Sequence, residues 1–137
     1  MIKNLKILKL KKIQNSLGDI TKYISKKDKF YKKFGEIYFS DIKKNKEKGW
    51  NLHKKSTCFV TAACGEVLFT ISDYKFKKKV RVTLNRKNPK ILIIPPQMWF
   101  KFKSTAESST IINFIDNAHD IKETEKKPLK SANKYKY

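Results

Sequence analysis

Apolar residues in this chain fall in short bursts divided by polar turns, and most bursts alternate with a period near two. That period predicts strands. Leu5-Lys6-Ile7-Leu8-Lys9-Leu10 reads as a first strand, with lysines alternating imperfectly with apolar positions. Gly18-Asp19 is a turn signal, Ile20 to Ile24 a short second strand, and Lys26 to Lys29 a solvated turn. Phe30 to Phe34 is either a loop or one helical turn. Ile37, Phe39 and Ile42 flank Tyr38 and Ser40 in a clearer strand, followed by a polar connection over Lys43 to Lys48. Cys58 to Ala63 and Val67 to Ile71 are β-rich runs broken by Gly65-Glu66, which predicts a hairpin with a tight glycine turn. Val80 to Leu84 alternates strictly. Ile91 to Ile94 is an apolar strand stopped by Pro95-Pro96, because proline removes the ladder donor. Trp99 to Phe102 reads as a half-buried strand, and Thr110 to Ile115 is the last strong one. No amphipathic helix of three turns stands out.

Short strands divided by turn residues predict an all-β domain, a barrel or a sandwich. The 137 residues fit a single core, and 39% hydrophobic residues suffice to build it. One domain is expected over residues 1–125, with a loose basic tail over 126–137, where Lys, Glu, Ser, Ala and Asn leave little to bury. No apolar run approaches the length of a membrane-spanning helix, and lysines interrupt the first apolar positions, so a cytoplasmic protein without a leader is expected. Cys58 and Cys64 have no zinc-type spacing and read as free thiols.

A net charge of +21 invites a nucleic-acid reading. Three observations weaken it. The basic residues are almost all lysine, with only Arg81 and Arg86 able to make bidentate contacts. The lysines run from Lys3 to Lys136 rather than gathering on one element, and no recognised nucleic-acid motif appears. A positive field that draws in an anionic small molecule such as a sugar nucleotide accounts for the charge equally well.

Three segments carry candidate chemistry. In Gly49-Trp50-Asn51-Leu52-His53-Lys54-Lys55, an extended strand puts Trp50 and Leu52 on one face and Asn51, His53 and Lys55 on the other. The second face is a site if it lines a barrel interior, and a surface strand with an ordinary histidine if it does not. Pro95-Pro96-Gln97-Met98-Trp99-Phe100-Lys101-Phe102 is either a pocket wall or core packing. His119 beside Asp120 suggests an acid–base pair, but adjacent residues in an extended segment point apart, which favours a surface or capping role. Two histidines cannot fill a multi-histidine shell, so neither a metal nor another cofactor is expected.

The order of Gly35-Glu36-Ile37-Tyr38-Phe39-Ser40, the Trp50–His53 segment, Gly65-Glu66-Val67-Leu68-Phe69, Ile93 to Phe102, and Asn117-Ala118-His119-Asp120 resembles the cupins related to dTDP-4-dehydrorhamnose 3,5-epimerase and, more distantly, the dTDP-sugar 3,4-ketoisomerases. The resemblance implies a jelly-roll, or double-stranded β-helix, barrel that forms homodimers. It implies a metal-free epimerase or ketoisomerase acting on nucleotide-linked 4-keto-6-deoxysugars for cell-surface polysaccharide. By motif position His53 matches the general base of such relatives, which removes a proton beside the 4-keto group. A neutral imidazole suits that task. The enolate needs stabilising donors, with Lys55 and Asn51 as candidates. Tyr38 is the candidate acid, and Trp99, Phe100, Lys101, Asn113 and His119 complete the expected substrate-binding set. Two departures stand out. Such relatives read Trp-His-x-His where this chain has Asn51, and Trp-His-Gly-Phe where it has Phe100-Lys101-Phe102. Asparagine cannot relay protons as histidine does, and phenylalanine offers no hydrogen bond. The alternative is therefore a catalytically inactive cupin that binds a sugar, a nucleotide or a partner protein.

Overall fold

The computed structural model describes residues 2–129. Ten strands form two five-stranded antiparallel sheets. The first has the order β1 (Lys6–Lys9), β9 (Lys90–Ile94), β6 (Cys58–Cys64), β11 (Ser108–Ile115), β4 (Glu36–Lys43). The second has the order β12 (Thr124–Lys126), β5 (Glu47–His53), β10 (Trp99–Ser104), β7 (Glu66–Ser72), β8 (Lys79–Asn85). A separate ribbon pairs β2 (Lys12–Ile13) with β3 (Ile20–Thr21). This is the expected jelly-roll arrangement. A 3-10 turn lies at Ile121–Glu123, and among the described residues no helix is long and apolar enough to cross a membrane.

The alternation read from the sequence sets what each face meets. In β9, Leu92 and Ile94 enter the core between the sheets with Val60, Phe69, Phe100, Phe102, Ile111 and Ile115. Ile91 and Ile93 point the other way and join Phe59 and Phe114 in a second cluster, covered by Leu10, Tyr23, Ile24, Phe30 and Tyr31. The continuous apolar run of β9 thus reflects burial on both faces. The aromatic segment around Phe30 is an irregular lid over the first sheet. Tyr23 fixes that lid: its hydroxyl donates to the Phe59 carbonyl, and burial raises its pKa. The outer face of the second sheet carries Trp50, Leu52, Phe76 and Trp99.

Two expectations need correction. The runs flanking Gly65 do not form a hairpin. β6 pairs with β9 and β11, and β7 pairs with β8 and β10, so the chain crosses from one sheet to the other at Gly65. Both runs are apolar enough to be central strands, and each takes partners distant in sequence. Gly65 has φ +74°, and a Cβ there would lie 2.3 Å from Ser109 Oγ and 2.4 Å from the Ser108 carbonyl oxygen. The tail also does not begin at 126. Lys126 continues the β12–β5 ladder opposite Asn51, and the Lys127 and Trp50 backbones exchange both hydrogen bonds. Backbone pairing outweighs the polar composition there. The remainder of the expected tail, residues 130–137, lies outside the described residues.

The crossover gives a direct expectation. Gly65→Ala adds left-handed backbone strain to a steric clash and should cost about 3 kcal/mol. Urea unfolding of the variant checks this as a lowered midpoint with an unchanged slope.

Candidate active site

Between the sheets, toward the β4 and β5 ends, lies a cavity of about 460 Å³. Its inner wall is apolar and buried, built from Val60, Phe69, Phe100, Phe102, Ile111 and Ile115. The buried polar groups on that wall are His53 and Asn113. The more open rim carries Glu36, Ser40, Lys48, Asn51, His119, Thr124 and Lys126. A mostly apolar interior with a polar and partly cationic mouth suits a ligand with a charged end and a reactive end.

His53 is the last residue of β5, and alternation along that strand turns Asn51 and His53 inward while Trp50 and Leu52 face out. The polar face is thus the interior one. His53 is 7% exposed, and its Nδ1 lies 2.9 Å from Glu123 Oε2. With Nδ1 engaged by Glu123, Nε2 is the second ring nitrogen of a side chain that lines the cavity. With Nδ1–H donated to a carboxylate, the neutral tautomer leaves Nε2 as an acceptor.

Glu123 is placed by the 3-10 turn, where Asp120 caps the turn through its side chain and accepts from Lys122 N–H. The carboxylate is engaged on both oxygens: Oε1 accepts from the backbone N–H of Lys55 at 2.9 Å and of Ser56 at 2.7 Å. Burial alone would push this carboxyl up. The hydrogen bonds with His53, Lys55 and Ser56 outweigh burial and hold it below the usual carboxylate value. Glu123 therefore stays ionised beside the imidazole. Reading the sequence missed it, because a Lys- and Glu-rich stretch looks solvated. Only the long-range pairing of β12 with β5 brings it home.

Tyr38 enters from β4, in the sheet opposite His53. Asn113, 2% exposed, donates through Nδ2 to the Tyr38 hydroxyl at 2.8 Å. Burial, with the nearby Cys58 thiol, pushes the Tyr38 pKa up to about 12 despite the Asn113 hydrogen bond. The hydroxyl therefore keeps its proton at neutral pH. Cys58 lies behind Asn113, and burial raises its thiol to about 12, which leaves it inert.

The cavity thus gathers Tyr38, Asn51, His53, Phe100, Asn113 and His119 from the expected set, with His119 exposed at the rim. It does not gather Lys55, Trp99 or Lys101. Lys55 lies beyond the end of β5, exposed, lining a separate cleft with Lys54, Lys122 and the far side of Glu123. Trp99 and Lys101 alternate with Phe100 and Phe102 on β10, so they face outward. Trp99 stacks on Phe76 with centroids 5.6 Å apart and donates Nε1–H to the Tyr74 carbonyl. Lys101 pairs with Glu47 at 3.0 Å and covers the Trp50 ring. Lys48, Lys126, Glu36 and Ser40 line the mouth and were not singled out from sequence. Among the described residues no three His, Cys, Asp or Glu side chains converge as a metal site.

Comparison with known proteins agrees with this fold. No curated protein matches the chain. Among solved structures, it is similar to a dTDP sugar isomerase from Desulfovibrio desulfuricans G20, at 26% identity and a TM-score of 0.90, over 99% of this chain and 90% of the other. It shares its fold with the sugar 3,4-ketoisomerase QdtA of Thermoanaerobacterium thermosaccharolyticum in complex with TDP, at 19% identity and a TM-score of 0.81, over 99% of this chain and 97% of the other. It shares it also with dTDP-4-dehydrorhamnose 3,5-epimerase from Sulfolobus tokodaii, at 19% identity and a TM-score of 0.85, over 95% and 80% of the two chains. Residues 3–131 match a single family, and the chain belongs to it: the family described as FdtA: WxcM-like, C-terminal, which is cupin-like and related in fold to the dTDP-sugar 3,5-epimerases and 3,4-ketoisomerases.

Proposed function

We propose that this protein is an epimerase or ketoisomerase of a nucleotide-linked 4-keto-6-deoxysugar, with His53 as general base. The observation that carries the reading is the buried His53–Glu123 pair, which anchors Nδ1 and leaves Nε2 facing a cavity. Nε2 takes the proton from the carbon beside the keto group, and ionised Glu123 stabilises the imidazolium that forms. The enolate gains a hydrogen-bond donor in Asn51, which shares the inward face of β5 with His53. Lys55, in its cleft outside the cavity, does not serve that purpose. Tyr38 approaches from the opposite sheet with its proton retained, which suits a donor to the other face of the enolate. Lys48 and Lys126 at the mouth are the cations available to a diphosphate.

The expected partner is a second copy. β4 is a sheet edge eight residues long with Ile37 and Phe39 exposed, the latter 70%, and Phe34, also exposed, sits against Phe114 of the neighbouring strand. An apolar edge of this kind calls for a cover. Light scattering should give a dimer that Phe39→Lys shifts toward monomer.

Activity is tested with TDP-4-keto-6-deoxyglucose in D₂O. Wild type should place deuterium on the sugar ring, and His53→Ala should slow this by about 10²- to 10⁴-fold. Ring deuteration by His53→Ala at the wild-type rate would remove His53 as the base. Glu123→Gln should lower kcat more than it raises KM, because it acts on the imidazole rather than on the ligand.

Stability should follow the same carboxylate. Its folded pKa lies below the unfolded value of about 4.3. Its contribution is therefore complete above the unfolded value and is lost as pH falls through the folded one. Urea midpoints between neutral pH and pH 3 should fall less steeply for Glu123→Gln than for wild type.

A further inference from the structure

Glu123 fixes one atom of His53, and one hydrogen bond still allows the ring to swing about it. The ring plane needs a second restraint, and the cavity supplies it. Phe100 lies beside the imidazole with centroids 6.1 Å apart and planes within 13°. Phe100 is itself 5% exposed and backed by Phe69 at 6.5 Å, which stacks on Phe102 at 4.9 Å. The result is an aromatic ladder across β5, β10 and β7, with the imidazole as its last rung. Offset parallel rings at such separations attract one another beyond the area they bury. Phenylalanine has no proton to exchange, so the rings against His53 take no part in proton transfer.

We propose that Phe100 is a positioning residue: its ring fixes the plane of the His53 imidazole and, with Glu123 on Nδ1, presents Nε2 to the cavity. Phe100 then serves the reaction by holding the base. The consequence for proton transfer rests on His53 being the base, whereas the restraint itself does not. An aromatic plane is the property that matters, so apolar bulk without a plane should not replace it.

The test compares Phe100→Leu and Phe100→Met with Phe100→Tyr. Three quantities are measured: kcat and KM on TDP-4-keto-6-deoxyglucose, TDP affinity by calorimetry, and the exchange of the His53 Nδ1–H with solvent by NMR at a temperature where every variant is folded. The leucine and methionine variants should lose about 10- to 100-fold in kcat, the scale of a misplaced catalytic group. They should keep TDP affinity within about twofold, as expected where ground-state binding is untouched. The tyrosine variant should keep most of kcat. Nδ1–H exchange should be faster with leucine or methionine than with phenylalanine or tyrosine. Unchanged kcat and exchange in the leucine and methionine variants would overturn the proposal. So would an equal fall in the tyrosine variant, or a loss of TDP affinity matching the loss of turnover. A wild-type protein that does not process the keto sugar would sink the proposed reaction alone. The exchange series would still decide the restraint, faster exchange without the aromatic ring supporting it and equal exchange refuting it.

Discussion

Burial on both faces of the sheets is the constraint on which this structure depends. Alternation sends half of each central strand into the space between the sheets and half outward; in β9 and β6 both halves are buried, and Trp50, Leu52 and Trp99 are buried on the outer side of β5 and β10. Each outer face therefore needs a cover that the strands cannot supply. The N-terminal segment around Tyr23, Ile24 and Phe30 covers Phe59, Ile91, Ile93 and Phe114. The 73–78 loop brings Phe76 over Trp50 and Trp99, and Leu129 packs against the same cluster. At roughly 1.5–3 kcal/mol for each large apolar side chain removed from water, these covers are part of the fold's stability.

The site is a by-product of the same arrangement. With the outer face of β5 taken by Trp50 and Leu52, its polar residues face the interior, the reverse of a solvated sheet. His53 is thereby desolvated beside Phe100, with Asn51 nearer the mouth. A titratable group in that setting needs a partner, and Glu123 provides it while being held by two backbone N–H groups. Three cooperating parts converge on one imidazole: a strand end, a 3-10 turn and an aromatic ladder.

Strand content was legible because a period of two is a local signal, and the run from Ile91 to the Pro95-Pro96 stop was read as it stands. The two faces of the Trp50–His53 segment were also legible, since Trp and Leu at alternate positions declare an apolar side. Pairing partners were not. Gly65 looks like a hairpin turn because a tight glycine turn and a crossover between sheets share the same local chemistry, and only distant partners tell them apart. The outward direction of Trp99 and Lys101 depends on which face of β10 meets β7 and β5, which composition does not state. Glu123 was invisible for a related reason: one acid among lysines acquires meaning only when a three-residue strand brings it alongside β5.

The strap that carries Glu123 separates scaffold from chemistry. The sheets are complete without the 3-10 turn, and β12 adds a sheet edge of three residues. Sequence drift in that stretch would therefore act as a dial on the imidazole while leaving the barrel standing. Edits to the strap would change what anchors the imidazole, while the apolar cavity wall, drawn from β6, β7, β10 and β11, would persist.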